Sequence, residues 1–486
     1  MQRPLLVTVC LLTTVLFAGM ESVAGELWVG TTQVDITPSK PVALSGQRHT
    51  RVAREVESPV TATVLAMETR AGDNSLDQAI IVSCDLVAVR DGIQERLRDR
   101  VKPHLSDFNI AKLFLSATHT HTAPVMREDV YVIPDEDAIR PIEYVGFLVD
   151  RLEEAVVRAW SNRRPAGVGW GLGHALVAHN RRAVYADGSA QMYGKTDEPS
   201  FRAMEGYEDH YIDTLFFFNA DRTVIALAVN VACPSQEVEG RSAVNADFWH
   251  ETRSMLRKRF GDNVQVLAWT GAAGDQSPHL MWYERAEERM RTLRKLTRLQ
   301  EIARRIDLAV DEAYHGAEQD IRFDVILIHH VKNIQLPVRM VTEAEATEAM
   351  AFCRAVAEED SLNPQNCLER MWNRQIVERY ERQSTDPYYT MELHTIRLGD
   401  VAICTNPFEL YSEYGVRIKA RSEALQTFVV QLVGASGGYL PTAEAIRGGH
   451  YSTEVYSNQV GPEGGNTLVD KTVTEINAMW SDTPDR

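Results

Sequence analysis

Residues 115–124 read LSATHTHTAP, with His119 and His121 two apart, directly after the apolar run Leu113-Phe114-Leu115. In extended chain, residues i and i+2 share a face. A strand that runs on would therefore project both imidazoles into one space. Paired imidazoles serve as metal ligands or as proton carriers. The plain alternative is a polar loop whose histidines bond to their neighbours. GAAGDQSPH at 271–279 offers a second cluster. Its glycines, Gly271 and Gly274 among them, permit tight turns, and backbone N–H groups in such turns can hold an anion or a developing oxyanion. Ser277 there suits a nucleophile or a substrate-orienting hydroxyl, and Asp275 suits orienting a neighbour. The motif is not the G-x-S-x-G elbow of the α/β-hydrolases. It also fits an ordinary strand–loop–helix connection with Ser277 as N-cap.

Three further stretches carry chemistry-bearing side chains. NPFELYSEYG at 406–415 sets Glu409 near a helix start, where a carboxylate compensates the dipole or is held rigidly as a metal ligand. GYLPTAEAIRGGHY at 438–451 supplies Tyr439 and Tyr451, and HNRRAVY at 179–185 supplies Arg181 and Arg182. Tyrosines in such places usually pack and arginines are usually solvated, so each signal is weak alone.

The elements that must position these residues follow one pattern. Apolar, β-branched runs at 79–84, 113–115, 223–232, 264–269, 400–404 and 427–433 each end in a polar or glycine-rich cluster. Such runs fit strands buried on both faces. Between them, 143–160 places Tyr144, Val145, Leu148, Leu152, Ala155, Val156 and Ala159 on one helical face. Residues 284–315 read as one long charged helix with the stripe Met290, Leu293, Leu299, Ile302, Ile306 and Val310. Thr342 and Glu345 form a capping box before a helix over 342–358. The expected fold is α/β, with mixed β-sheets flanked by helices. In open α/β sheets ligands sit outside the carboxyl ends of strands, and every cluster above lies at such an end. Segment 187–212 is polar and reads as a surface excursion or lid.

Composition narrows the class. The chain has 486 residues, 44% hydrophobic and 24% charged, ordinary values for a globular protein. A net charge of −17 with no dominant basic patch argues against a nucleic-acid partner. Residues 1–24 read as a cleaved secretory signal peptide, with Arg3, an apolar run from Leu5 to Ala18 and Ser22-Val23-Ala24 before the cut. This predicts an exported (secreted or periplasmic) protein with one domain over 25–486. Cys353 and Cys367 flank a polar segment and are placed to bridge. Cys84 and Cys404 read as buried small side chains, and Cys233 is left over.

In order, THTH-x-x-P, a Pro-Ser strand end, G-D-x-S-P, N-P-x-E and G-Y-x-x-T-x-E with a second tyrosine twelve residues on resemble the neutral/alkaline (non-lysosomal) ceramidase family. The resemblance runs from VGTTQVDITP at 29–38 to Tyr451 and covers most of the chain. It implies a zinc-dependent amidohydrolase that cleaves N-acylsphingosine to a sphingoid base and a fatty acid. It further implies zinc ligands His119, Glu409 and Tyr439, with His121 beside the metal in a proton-handling or substrate-binding role. Tyr451 corresponds to the oxyanion-stabilising tyrosine. Ser277 corresponds to a nucleophile or substrate contact, and Arg181 to the arginine of the family's H-N-R segment.

Two departures qualify the resemblance. Where the family has A-x-H-P-T, this chain reads NVACPSQ. Zinc accepts mixed Cys, His and carboxylate sets, so Cys233 is the expected fourth ligand in place of histidine. The family's C-terminal β-sandwich is not expected here, and Gln276 and His279 are not the usual neighbours of Ser277. The expected partner is a small amphipathic or amide substrate, with possible contact to a membrane surface. The rivals are an exported hydrolase of another amide or ester, favoured if no apolar acyl groove exists, and a decayed lipid- or glycan-binding protein.

Overall fold

The computed structural model describes residues 23–128, 130–133, 138–358 and 367–481. Most of the expected signal peptide lies outside these residues, as does the side chain of Cys367; Cys353 carries a free thiol. Three large sheets share one apolar centre. The first orders Asp324–Val325, Gly25–Asp35, Thr61–Ala71, Asn74–Cys84 and Leu113–Ala117. The second orders Gln265–Thr270, Val224–Val231, Tyr211–Phe218 and Gly167–His174. The third orders Leu327–Pro337, Tyr388–Leu398, Val401–Thr405 and Gln426–Val430. Neighbours run antiparallel except for one parallel pair in each sheet: Asn74–Cys84 with Leu113–Ala117, Val224–Val231 with Gln265–Thr270, and Val401–Thr405 with Gln426–Val430.

The inner faces meet through Phe114, Leu215, Phe217, Trp269, Ile403 and Phe428, all fully buried. Each such side chain contributes roughly 1.5–3 kcal/mol of burial. The outer faces are covered by helices. Pro141–Ser161 covers the first sheet, Phe248–Phe260 and Arg298–Ala317 the second, and Ser412–Arg421 with Pro462–Ser481 the third. The approach of Arg298–Ala317 explains the repeat GVGWGLGH. Alternate residues Gly169, Gly171 and Gly173 present backbone to the helix carbonyls of Ala317, Ala313 and Ala309, and a Cβ at Gly171 or Gly173 would collide with them. The mixed sheets flanked by helices are those the apolar runs predicted.

Two expected elements differ. Residues 284–315 form two helices, Glu284–Arg294 and Arg298–Ala317. Lys295 takes a left-handed conformation that ends the first, and Thr297 caps the second through a box with Gln300. The stripe is split accordingly: Ile302, Ile306 and Val310 are buried, while Met290 and Leu293 face solvent. Segment 187–212 holds the short strands Ala190–Met192 and Phe201–Met204, which pair on either side of Arg182–Tyr185. The box of Thr342 and Glu345 caps Glu343–Glu358 as expected.

Candidate functional site

The carboxyl ends of the three parallel pairs are stitched together. Thr270 Oγ1 donates to Ala117 O, Gln431 N to Thr270 O, Gly434 N to Leu115 O, and Gly271 N to Val231 O. Gln431 Oε1 accepts from Ala273 N and Leu410 N. This seam brings the 118–121, 271–277, 406–410 and 431–439 segments to one place.

His119 lies just past the first sheet in a left-handed conformation, φ 65°. The strand stops at Ala117, so the pairing of the imidazoles comes from a turn and not from continued strand geometry. The rings do meet: their Nε2 atoms are 3.2 Å apart. His119 Nδ1 is 2.6 Å from Val87 O, which fixes its proton there and leaves Nε2 with a lone pair. His121 Nδ1 is 2.9 Å from Glu239 Oε2, which favours the proton on that nitrogen too. Burial pushes His121 below its ordinary value, so its neutral form is favoured.

Glu409 sits in a two-residue strand that pairs in parallel with Tyr439-Leu440, opposite Tyr439 itself. The adjacent helix begins only at Ser412, so the carboxylate is placed by strand pairing and not by a helix start. Glu409 Oε2 lies 3.4 Å from His119 Nε2, and the Tyr439 hydroxyl is near enough to lower the Glu409 carboxyl. Burial would raise the carboxyl, but His119, Arg181 and that hydroxyl together hold it at about 2. Arg181 is buried and donates to Gly274 O at 2.9 Å, to Tyr439 Oη at 3.3 Å and to Tyr193 Oη at 3.0 Å. Tyr451 packs edge-on to Tyr439, with centroids 5.7 Å apart. His119, His121, Glu409, Tyr439 and Tyr451 line one cavity of about 180 Å³. A larger cavity, about 750 Å³, lies behind Glu239 and touches none of the predicted residues.

The remaining predicted residues stand elsewhere. Cys233 does not join His119 and Glu409. It is buried among Val231, Phe248 and Trp249, its Sγ lies 3.5 Å from Pro234 O, and burial pushes its thiol well up. Asp275 is a clasp: it accepts from Ser412 N and Ser412 Oγ, each at 2.8 Å, and from Asn180 Nδ2 at 3.0 Å. Gly271 and Gly274 spend their N–H groups on Val231 O and Leu410 O, so they are no oxyanion donors. Ser277 is buried and accepts from His279 N and the Tyr193 hydroxyl, with Gln236 Nε2 at 3.5 Å; among the described residues no imidazole or carboxylate bonds to it.

Glu239 and Tyr193 are the neighbours that sequence reasoning missed. Glu239 lies six residues past Cys233 in an acidic stretch; Tyr193 lies in the segment read as a lid. Nothing in their spacing marks them.

The zinc donors implied by the motifs gather in part. His119 Nε2 faces a Glu409 oxygen across 3.4 Å, with Tyr439 opposite Glu409 in the strand pair, and donors of these kinds suit zinc. Among the described residues, no three His, Cys, Asp or Glu side chains are set to hold a metal ion.

The same arrangement of sheets is found in solved structures. Neutral ceramidase from Pseudomonas aeruginosa superposes with a TM-score of 0.66 at 16% identity, over 95% of this chain and 76% of that one. The fold is the neutral ceramidase fold. A ceramidase structure described as complexed with C2 gives 0.65 at 15% identity over the same shares. No family model and no curated protein matches the chain.

Proposed function

We propose that the protein is an amidohydrolase that cleaves a linear N-acyl amide, with zinc as its metal and N-acylsphingosine as the reference substrate. The carrying observation is the meeting of His119, Glu409 and Tyr439, with His121 at the same point, in a cavity of the neutral ceramidase fold. His119 Nε2, Glu409 and Tyr439 would hold the zinc, which supplies carbonyl polarisation and a more acidic water.

The chain's own residues account for the proton traffic. His121 Nε2 is unprotonated and can take a proton from the attacking water. The water oxygen bonds to the acyl carbon, the C–N bond breaks, and His121 returns the proton to the amine nitrogen. Tyr451 lines the cavity and donates its hydroxyl to the developing oxyanion. Arg181 polarises the Tyr439 hydroxyl, and Ser277 acts at one remove by holding Tyr193 against Arg181.

The test is release of fatty acid from N-acylsphingosine and from a simple N-acyl amine, with and without a zinc chelator. Chelator-sensitive release, lost by at least about a hundredfold in His121→Ala, is expected. Undiminished release in both His119→Ala and His121→Ala would sink the reading. No membrane-crossing helix, by length and apolarity, is found among the described residues.

A further inference from the structure

The walls around this site are dominated by guanidinium groups. Arg90 lines the small cavity with His119, Glu409 and Tyr439. It also lines an adjoining cleft of about 270 Å³, where Arg127, Arg379 and Arg382 join it. Among the described residues, two carboxylates share that cleft, Glu409 and Glu378. Glu409 is engaged by His119 and Tyr439, and Glu378 lies 3.6 Å from Arg374. Among the described residues, Arg90, Arg379 and Arg382 form no ion pair. Arg90 Nη1 donates to Ser436 Oγ at 2.9 Å, and Arg379 spends both terminal nitrogens on the carbonyls of Val455 and Arg339. These bonds orient the forks without neutralising them. Burial and then Arg127 lower Arg90, against Tyr131, Glu409 and Asp91, while burial and then Arg339 and Arg382 bring Arg379 down to about 10 against Glu345. Like charges packed in a cleft are relieved by an anion, and guanidinium forks match flat oxyanions. The aliphatic side chains on the cleft wall are Met371 and Ile376, and its aromatic ones, Trp372, Tyr439, Tyr451 and Tyr456, are mostly tyrosines with polar tips. That is little cover for a long uncharged chain.

We propose that the amide taken by this site carries an anionic oxygen group, a carboxylate or sulfonate, close to the scissile bond, seated against Arg90 with Arg382 at the cleft mouth. This rests on the amidase reading and names its substrate class.

Three amides with one acyl chain test it: N-acylglycine, N-acyltaurine and N-acylethanolamine. The expected result is a kcat/KM for either anionic amide at least about tenfold above the neutral one, the size of one charge-assisted contact. Arg90→Gln should collapse that ratio through KM, and Arg90→Lys should keep part of it. Arg382→Gln, on an exposed side chain, should lower the ratio without burdening the fold. Equal rates, or a preference for the neutral amide, overturn the proposal. If none of the three is cleaved, release from N-acylsphingosine still decides the amidase reading, and binding decides this one through tryptophan fluorescence of the intact protein. N-acylglycine binding about tenfold tighter than N-acylethanolamine supports it, and equal binding overturns it.

Discussion

At the scale of single residues, His119, Glu409 and Cys233 show what spacing can convey. His119 and Glu409 carry their roles in short motifs whose neighbours fix the local turn, so the motif travels with the geometry. Cys233 carries a slot in an aligned pattern but points away. Cys233 lies two residues past the strand Val224–Val231, in a turn that returns its N–H to Val231 O, and joins Leu227, Val229 and Val231 in the core covered by the helices of the second sheet. The two-residue period of a strand sends Val229 and Val231 into that core, and the turn after Val231 carries Cys233 into it too. Cys233→Ala should therefore leave bound zinc per protein unchanged by elemental analysis. Its cost, about 1–2 kcal/mol in urea unfolding, should be that of a small core cavity. Loss of metal in that variant would restore the thiolate as a ligand.

At the scale of elements, the strands and most helices were legible because apolar runs and caps are local signals. The break at Lys295 was not. The left-handed Lys295 leaves no mark in a charged, helix-forming stretch, and the exposed Met290 and Leu293 look like part of the buried stripe; the one signal was the capping box of Thr297 and Gln300, which the continuous stripe outweighed. The glycine repeat of Gly167–His174 has a clear element-level meaning instead. Gly171→Val would drive a branched side chain into the backbone at Ala313, which belongs to a helix held along its whole length. An overpacking cost of about 1–3 kcal/mol is expected, seen as a lower urea midpoint with an unchanged slope. An equal midpoint would mean that the helix moves aside freely.

At the scale of the whole molecule, the first and third sheets meet across buried polar links, His329 N donating to Asp77 Oδ2 and His329 Nδ1 lying 3.2 Å from Gln78 O. His329 Nε2 is 2.9 Å from His394 Nδ1, and His394 Nε2 is 2.8 Å from Glu392 Oε1, which Arg98 also holds. His330, Lys112 and Asp77 stand close by. Burial pushes His329 well below its ordinary value and lowers His394 as well. The folded protein thus binds fewer protons here than the unfolded chain. Stability from this pair is present above the unfolded value, near pH 6.5, and is lost as pH falls below it. The slope should reach up to about 1.4 kcal/mol per pH unit for each histidine. Melting at pH 7.5 and 5.5 checks this, and a His329→Gln protein should show a smaller drop. A wild-type melting point that does not fall between those values would contradict it. The pair itself was invisible in sequence, because His329 and His394 become neighbours only through antiparallel pairing of two distant strands.

The short bridge between Glu409 and Tyr439 bears on how the protein is made. His119 lies just past the first sheet, Glu409 and Tyr439 form a short strand pair of their own, and the bond from Tyr439 N–H to Ser457 O, like the helix Pro462–Ser481 that covers the third sheet, is supplied by later chain. A growing polypeptide still on the ribosome, or one cut short before residue 457, therefore has no assembled site to act with. Activity in a cell extract would report finished synthesis and folding, and a premature stop would yield a silent protein instead of a weak one.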